Sequence, residues 1–168
     1  MNKSPDHVAR VMEQWRRVRP DLDLGPLAVI ARLGRAARFV DQAHEQFFAE
    51  HDLTRADWDV LAGLRRVGSP YRVSPTELYR GLMRASGTIT HRLHRLERAG
   101  LVERVPDPDD GRGVLVQLTK AGVKLVDELA PLHLQNEARM LEALSERERD
   151  QLARLLEKLL ATYEGRSL

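Results

Sequence analysis

The stretch Ser74-Pro75-Thr76-Glu77, followed by Ser86-Gly87-Thr88-Ile89-Thr90-His91-Arg92-Leu93-His94-Arg95-Leu96 and running on to Gly100, fixes the reading of this chain. In the first quartet the Ser hydroxyl can accept the N3 amide and the Glu can reach back to the Ser amide. Pro75 falls where a helix needs no N–H donor. A short helix is predicted from there to about Met83, with a turn at Arg84-Ala85. A second helix follows and ends at Gly100, the residue type best suited to the left-handed position beyond a helix end. The period then changes. Leu101-Val102-Glu103-Arg104-Val105 and Val114-Leu115-Val116-Gln117-Leu118 alternate as strands do, and the polar loop Pro106-Asp107-Pro108-Asp109-Asp110-Gly111-Arg112-Gly113 joins them into a hairpin.

Two short helices and a hairpin in this order describe a winged helix-turn-helix, whose second helix lies in the DNA major groove. On an ideal wheel Ile89, Leu93 and Leu96 cluster within about 40° and are expected in the core. Gly87, Thr88, His91, Arg95 and Arg98 fall on the other side. Small polar residues at the front of such a helix, here Ser86, Gly87, Thr88 and Thr90 with His91, let the backbone come close to base edges. Arg95 and Arg98 suit phosphates. The 27 Lys and Arg nearly balance the 25 Asp and Glu, leaving a net charge of +2. That is too little to hold nucleic acid by bulk attraction, so a local surface such as Arg84, Arg95, Arg98 and Arg112 is expected to supply the affinity.

Ser86-Gly87-Thr88-Ile89-Thr90, the run Leu93-x-x-Leu96-Glu97-x-x-Gly100-Leu101-Val102, and Asp107-x-x-Asp110-x-Arg112 with Leu118-Thr119-x-x-Gly122 together resemble the MarR family of bacterial transcriptional regulators. The resemblance covers nearly the whole chain. It implies that Arg112 enters the minor groove and that Asp110, two residues earlier, orients its guanidinium. A carboxylate at that distance would fix an otherwise flexible fork and favour a narrow A·T groove. An ordinary Asp-Gly turn with an exposed Arg is the plainer reading of the same tripeptide.

The rest of the chain reads as helix, so the fold class is mainly α with a small β-hairpin wing, α+β. Residues 6–18 carry Val8, Val11, Met12, Trp15 and Val18 on one stripe, and residues 26–51 carry Leu27, Ile30, Leu33, Ala37, Val40 and Phe47. Thr54 opens a third helix, with Asp57 at the capping-box position and Leu53 and Trp58 placed as a hydrophobic staple. A long helix from Thr119 to about Leu144 contains Pro131, where a kink is expected, and Ser145-Glu146-Arg147-Glu148 starts the last one. Its stripe is Leu152, Leu155, Leu156, Leu159 and Leu160. We expect one domain over 1–168, with the winged helix-turn-helix at 52–118 and helical dimerisation parts at 5–50 and 119–164. Stripes at both ends of the chain could complete a monomer core. They are more simply explained by a twin, and a two-fold homodimer would read an inverted-repeat operator in double-stranded DNA. The family resemblance also implies dimerisation through the terminal helices.

With 168 residues, no Cys, no signal-peptide pattern and no membrane-length apolar run, the chain is expected to be soluble and cytoplasmic, without membrane partners. Lack of thiols removes oxidant sensing through a reactive cysteine. No nucleophile, metal set or acid–base pair suggests an enzyme, and no cofactor is implied. His91 and His94, one turn apart, could share a cation, but no carboxylate follows at i+4 and DNA contact is simpler. Three residues suggest a small-molecule signal: Trp15, Asp59 and Arg92. Arg92 lies about 60° from Ile89 on the wheel, at the margin of the buried face and away from the groove. Asp59 has Ala56, Ala62 and Gly63 beside it, small residues that leave room for a neighbour. The N-terminal helix with its Trp, the Trp58-Asp59 pair and the Thr90-x-Arg92 triplet resemble the urate-responsive subgroup of the family, which implies a pocket at these three positions. The counterpart of a further polar pocket residue is Val67, which is apolar. As plain structure, Trp15 would fill a dimer core and Asp59 with Arg92 would form an ion pair. The function expected is a repressor released by a small anion such as urate. The alternatives are a regulator answering to another molecule such as a tricarboxylate, and an architectural DNA-binding protein with no ligand response.

Overall fold

A computed structural model describes residues 4–82, 89–110 and 113–164. Among them are seven helices and one three-stranded antiparallel sheet, in agreement with the mainly helical class. The chain divides into two compact units, Met1–Asp52 and Leu53–Leu168.

The first unit is a helical pair, α1 (His7–Val18) and α2 (Gly25–Ala49). Asp6 begins α1 by accepting the Ala9 amide on Oδ1 at 2.7 Å, which satisfies a donor that the first turn leaves open. The same carboxylate receives Arg32 of α2 through Nε at 2.7 Å and Nη2 at 3.2 Å, so one side chain both caps α1 and ties it to α2. This ion pair and the cap hold the Asp6 carboxyl below its ordinary pKa, the Arg32 bond contributing most. Val8 and Met12 of the predicted stripe are buried, whereas Trp15, Val18, Ile30 and Val40 are exposed.

The second unit begins with α3 (Arg55–Arg66), β1 (Arg72–Val73), α4 (Pro75–Gly81) and α5 (Ile89–Arg98). It continues through β2 (Val102–Pro106), β3 (Val114–Leu118), α6 (Lys120–Met140) and α7 (Glu146–Glu164). The hairpin pairs Val102 with Leu118 and Pro106 with Val114. On its other edge β3 pairs with β1, Arg72 opposite Gln117 and Val73 opposite Val116, giving the order β1-β3-β2. Strand β1 has no counterpart in the sequence reading, because two residues are too few for alternation to register. Leu61 and Leu64 of α3, Leu78 of α4, Leu93 and Leu96 of α5, Val116 of β3 and Val126 of α6 are buried together in this unit's core. Gly63 serves packing within it: a Cβ there would meet Leu78 Cδ1 at 3.3 Å and Leu82 Cδ2 at 3.5 Å, so α4 takes up that space.

At Thr119 the sheet, the end of α5 and the start of α6 are fastened together. Its hydroxyl accepts the Gly122 amide at 3.0 Å and donates to the Gly100 carbonyl at 2.7 Å, while its own amide donates to the Leu101 carbonyl at 3.1 Å. Helix α6 passes so near this corner that a Cβ on Gly122 would lie 2.1 Å from the Leu101 carbonyl oxygen. The Thr-x-x-Gly spacing is therefore a cap combined with a close approach. Helix α6 continues through Pro131 and stops at Met140, earlier than the periodicity suggested, because turns over 141–144 precede the Ser145 cap of the next helix.

Candidate nucleic-acid interface

Helix α4 is held at its front end as a capping box demands. Glu77 donates its amide to Ser74 Oγ at 3.2 Å and accepts both the Ser74 amide at 3.1 Å and the Ser74 hydroxyl at 2.8 Å on Oε2. The Ser74 hydroxyl, then the Ser74 amide, lower the Glu77 pKa. On α5 the predicted division of faces is present. Leu93 and Leu96 are buried and Ile89 is half-buried, while Thr90, His91, His94 and Arg98 are exposed. Arg92 is half-buried, as a residue at the margin of the core face must be. Ser86, Gly87, Thr88 and Arg84 lie outside the described residues, as does Arg112.

The described residues of the wing loop are tied to one another by hydrogen bonds. The Gly113 amide donates to the Asp110 carbonyl at 2.8 Å, and the Asp107 amide donates to the Gly113 carbonyl at 3.0 Å. Asp107 Oδ1 accepts the Asp109 amide at 3.0 Å. A Cβ on Gly113 would come within 2.8 Å of Asp107 Cβ, so the base of the loop leaves no room for a larger residue. Asp110 itself is exposed.

Arg95 makes a contact that the sequence reading did not include. Its guanidinium turns toward α3, where Nη2 donates to Thr54 Oγ1 at 2.9 Å and pairs with the Asp57 carboxylate. Asp57 is wholly buried and is the N3 residue of the predicted α3 capping box, accepting the Thr54 amide at 2.8 Å and the Thr54 hydroxyl at 2.7 Å on Oδ2. The sequence identified the cap but not its third partner, which arrives from a helix 41 residues away from Thr54. At the far end of α5, Glu97 accepts Arg104 Nη1 of β2 at 2.7 Å.

Of the three positions expected to form a ligand pocket, Trp15 belongs to the first unit and Asp59 and Arg92 to the second. Asp59 and Arg92 are half-buried on α3 and α5, which pack against each other. A polar group that spacing did not reveal accompanies them on α6. His133 lies with its ring 5.5 Å from Trp58, edge to face, and Nε2 is 3.4 Å from Glu137. Burial lowers the His133 pKa, Glu137 and Asp59 oppose that shift, and Arg55 adds to it. Val67 caps the end of α3 and is half exposed.

Residues 51–113 match the MarR family model. The chain is 40% identical over 149 residues to the HTH-type transcriptional regulator PecS of Dickeya dadantii, covering 89% of this chain and 90% of that protein. Its structure is similar to a crystal structure of mutant MarR from E.coli complexed with operator DNA, at a TM-score of 0.67 and 28% identity, over 87% of this chain and 97% of that one. It is also similar to BpsR of Bordetella bronchiseptica, in a structure describing regulation of DNA binding by 6-hydroxynicotinic acid. There the TM-score is 0.68 and the identity 30%, over 78% of this chain and 91% of that one. No described helix is long and apolar enough to cross a membrane. With α4, α5, the β2–β3 hairpin and the terminal helices described, and 40% identity to a transcriptional regulator over nine tenths of both chains, the chain belongs to the MarR family of DNA-binding transcriptional regulators.

Proposed function

We propose that this regulator is a repressor that binds an inverted-repeat operator as a homodimer and leaves it when a small anion binds. The observation that carries the DNA part is the face of α5 on which Thr90 and His91 are exposed while Leu93 and Leu96 are buried. Ser86, Gly87 and Thr88, with Thr90 and His91, read base edges in the major groove, and Arg112, oriented by Asp110, reads the minor groove. Support for the dimer comes from the apolar stripes that the single chain leaves open. No residue of α7 is buried, and Leu155 and Leu160 are each at least half exposed.

The ligand reading rests on Asp59 and Arg92, a carboxylate and a guanidinium half-buried on packed helices of which one reads DNA; the family resemblance adds the Trp15 indole as a stacking surface. Such an anion would take charge-assisted bonds from Arg92 and disturb its relation to Asp59, drawing α5 from its groove-binding pose. Urate is the first candidate, a tricarboxylate the second. The relative regulated by 6-hydroxynicotinic acid is a precedent for a planar acid. The test is operator release by urate and by citrate, measured on the native protein, Asp59→Asn and Trp15→Phe. A ten- to hundred-fold loss of affinity, about 1.4–2.7 kcal/mol of coupling, is expected for the native protein alone. Equal release by both variants at the same concentration would return the three residues to plain packing. A protein that prefers no sequence and ignores every anion would be architectural.

A further inference from the structure

We infer that Arg95 is a positioning residue of the DNA-reading helix, acting through the buried carboxylate of Asp57, and is not a phosphate contact. The inference rests on the reading of α5 as the helix that enters the groove. Leu93 and Leu96 hold α5 to the core, but apolar contacts are non-directional and set its depth better than its rotation. Rotation is what decides whether Thr90 and His91 present their edges to bases, and a bond of fixed geometry near the middle of the helix is the device that can set it. Arg95 supplies that bond.

Its partners are pre-arranged. The Thr54 hydroxyl accepts the Asp57 amide at 3.2 Å and Arg95 Nη2 at 2.9 Å, and donates to Asp57 Oδ2 at 2.7 Å, which uses all of its hydrogen-bonding capacity. Oδ2 receives the Thr54 amide, the Thr54 hydroxyl and the Arg95 guanidinium, whereas Oδ1 is buried and accepts no hydrogen bond from the described residues. The helix cap alone would be met by an uncharged acceptor. A fully buried carboxylate needs a countercharge, and the recognition helix provides it. Glu97, two residues on from Arg95 and so on a different side of the helix, fastens the last turn of α5 to Arg104 of β2, so the helix is held from two directions. Such buried pairs are best attested where they set register.

The experiment uses the full chain, a duplex selected by the native protein from a random library, and a random duplex of equal length. Both are titrated over a range of salt with Asp57→Asn, Asp57→Glu, Arg95→Gln and the double variant Asp57→Asn/Arg95→Gln, and thermal melting is followed throughout. A positioning role predicts that Asp57→Asn and Arg95→Gln each lose at least tenfold in preference for the selected duplex, with the salt slope of the native protein kept. The double variant is then no worse than the poorer single one, and Asp57→Glu, which keeps charge and cap, recovers most of the preference. The sign is diagnostic. Asp57→Asn adds net positive charge, so an effect on phosphate attraction alone would tighten binding to both duplexes. A phosphate contact instead predicts that Arg95→Gln lowers the slope by about 0.9 on both duplexes while Asp57→Asn binds both at least as tightly as the native protein does, and that result overturns the inference. If Asp57→Asn unfolds, Arg95→Gln decides through preference and slope, since that side chain is 41% exposed. Selection of no sequence by the native protein would remove the DNA-reading assignment of α5 and this inference with it. Sequence selection left intact in every folded variant removes this inference alone.

Discussion

At the scale of single residues, Gly122 and His133 carry the plainest predictions. A methyl group on Gly122 would have to fit where the Leu101 carbonyl oxygen lies 2.1 Å away, in a corner already fixed by Thr119. Gly122→Ala gains roughly 1 kcal/mol of helix propensity, yet overpacking at so close an approach costs about 1–3 kcal/mol. A net loss is expected, read as a lower denaturant midpoint. His133 is held below its ordinary value near 6.5, mainly by burial. The unfolded chain therefore binds a proton first on acidification. Stability is full above about pH 6.5 and declines as the pH falls through that value and on through the lowered folded pKa. Urea unfolding between about pH 7.5 and 5.5 will show this slope, and His133→Gln will flatten it. Glu77 and Glu148, whose pKa values are lowered by their Ser caps, titrate lower and affect a more acidic range. Arg112→Ala is expected to weaken operator binding by roughly 1–3 kcal/mol with folding intact, the loss concentrated on A·T-rich flanks, as titration of labelled duplexes at fixed salt will test.

At the scale of elements, what the sequence made legible was whatever depends on neighbours three or four residues apart. Thr54 with Asp57, Ser74 with Glu77 and Ser145 with Glu148 are all capping boxes in the structure, because each is closed within one turn and needs nothing from elsewhere. Replacing Ser74 by Ala should cost about 1 kcal/mol, detected as earlier thermal unfolding, since the Glu77 amide loses its acceptor and the Glu77 carboxylate loses the hydroxyl that helps to hold it. The buried and exposed faces of α5 were readable for the same local reason. Strand β1 was not, being a two-residue partner that exists because β3 offers an open edge. The Asp57–Arg95 pair was also hidden, since a charge on a helix wheel points to an arc and not to its partner. His133 escaped notice because its setting comes from Trp58, Asp59 and Arg55 on another helix. Spacing along α6 could have suggested only Glu137, at i+4.

For the whole molecule, the apolar residues left open at both ends carry the proposed assembly. Removing the chain from Ser145 onward should leave the helix-turn-helix and wing folded but abolish a two-fold species in sedimentation, with operator affinity falling at least tenfold, about 1.4 kcal/mol. A full-length protein that sediments as a monomer at micromolar concentration would defeat the dimer. The corner at Thr119 bears on how such a regulator can diversify. Gly100, Leu101, Thr119 and Gly122 bind three elements at one point, whereas Asp107, Asp109, Asp110 and Gly113 of the wing loop are hydrogen-bonded to one another. Chimeras that exchange the wing loop with a relative should keep their fold and change their preferred duplex. Chimeras that take Gly100 and Leu101 from one parent and Thr119 and Gly122 from the other should fail to assemble the sheet, so inherited variation in length is expected to accumulate at the loop tip and to be purged at the corner.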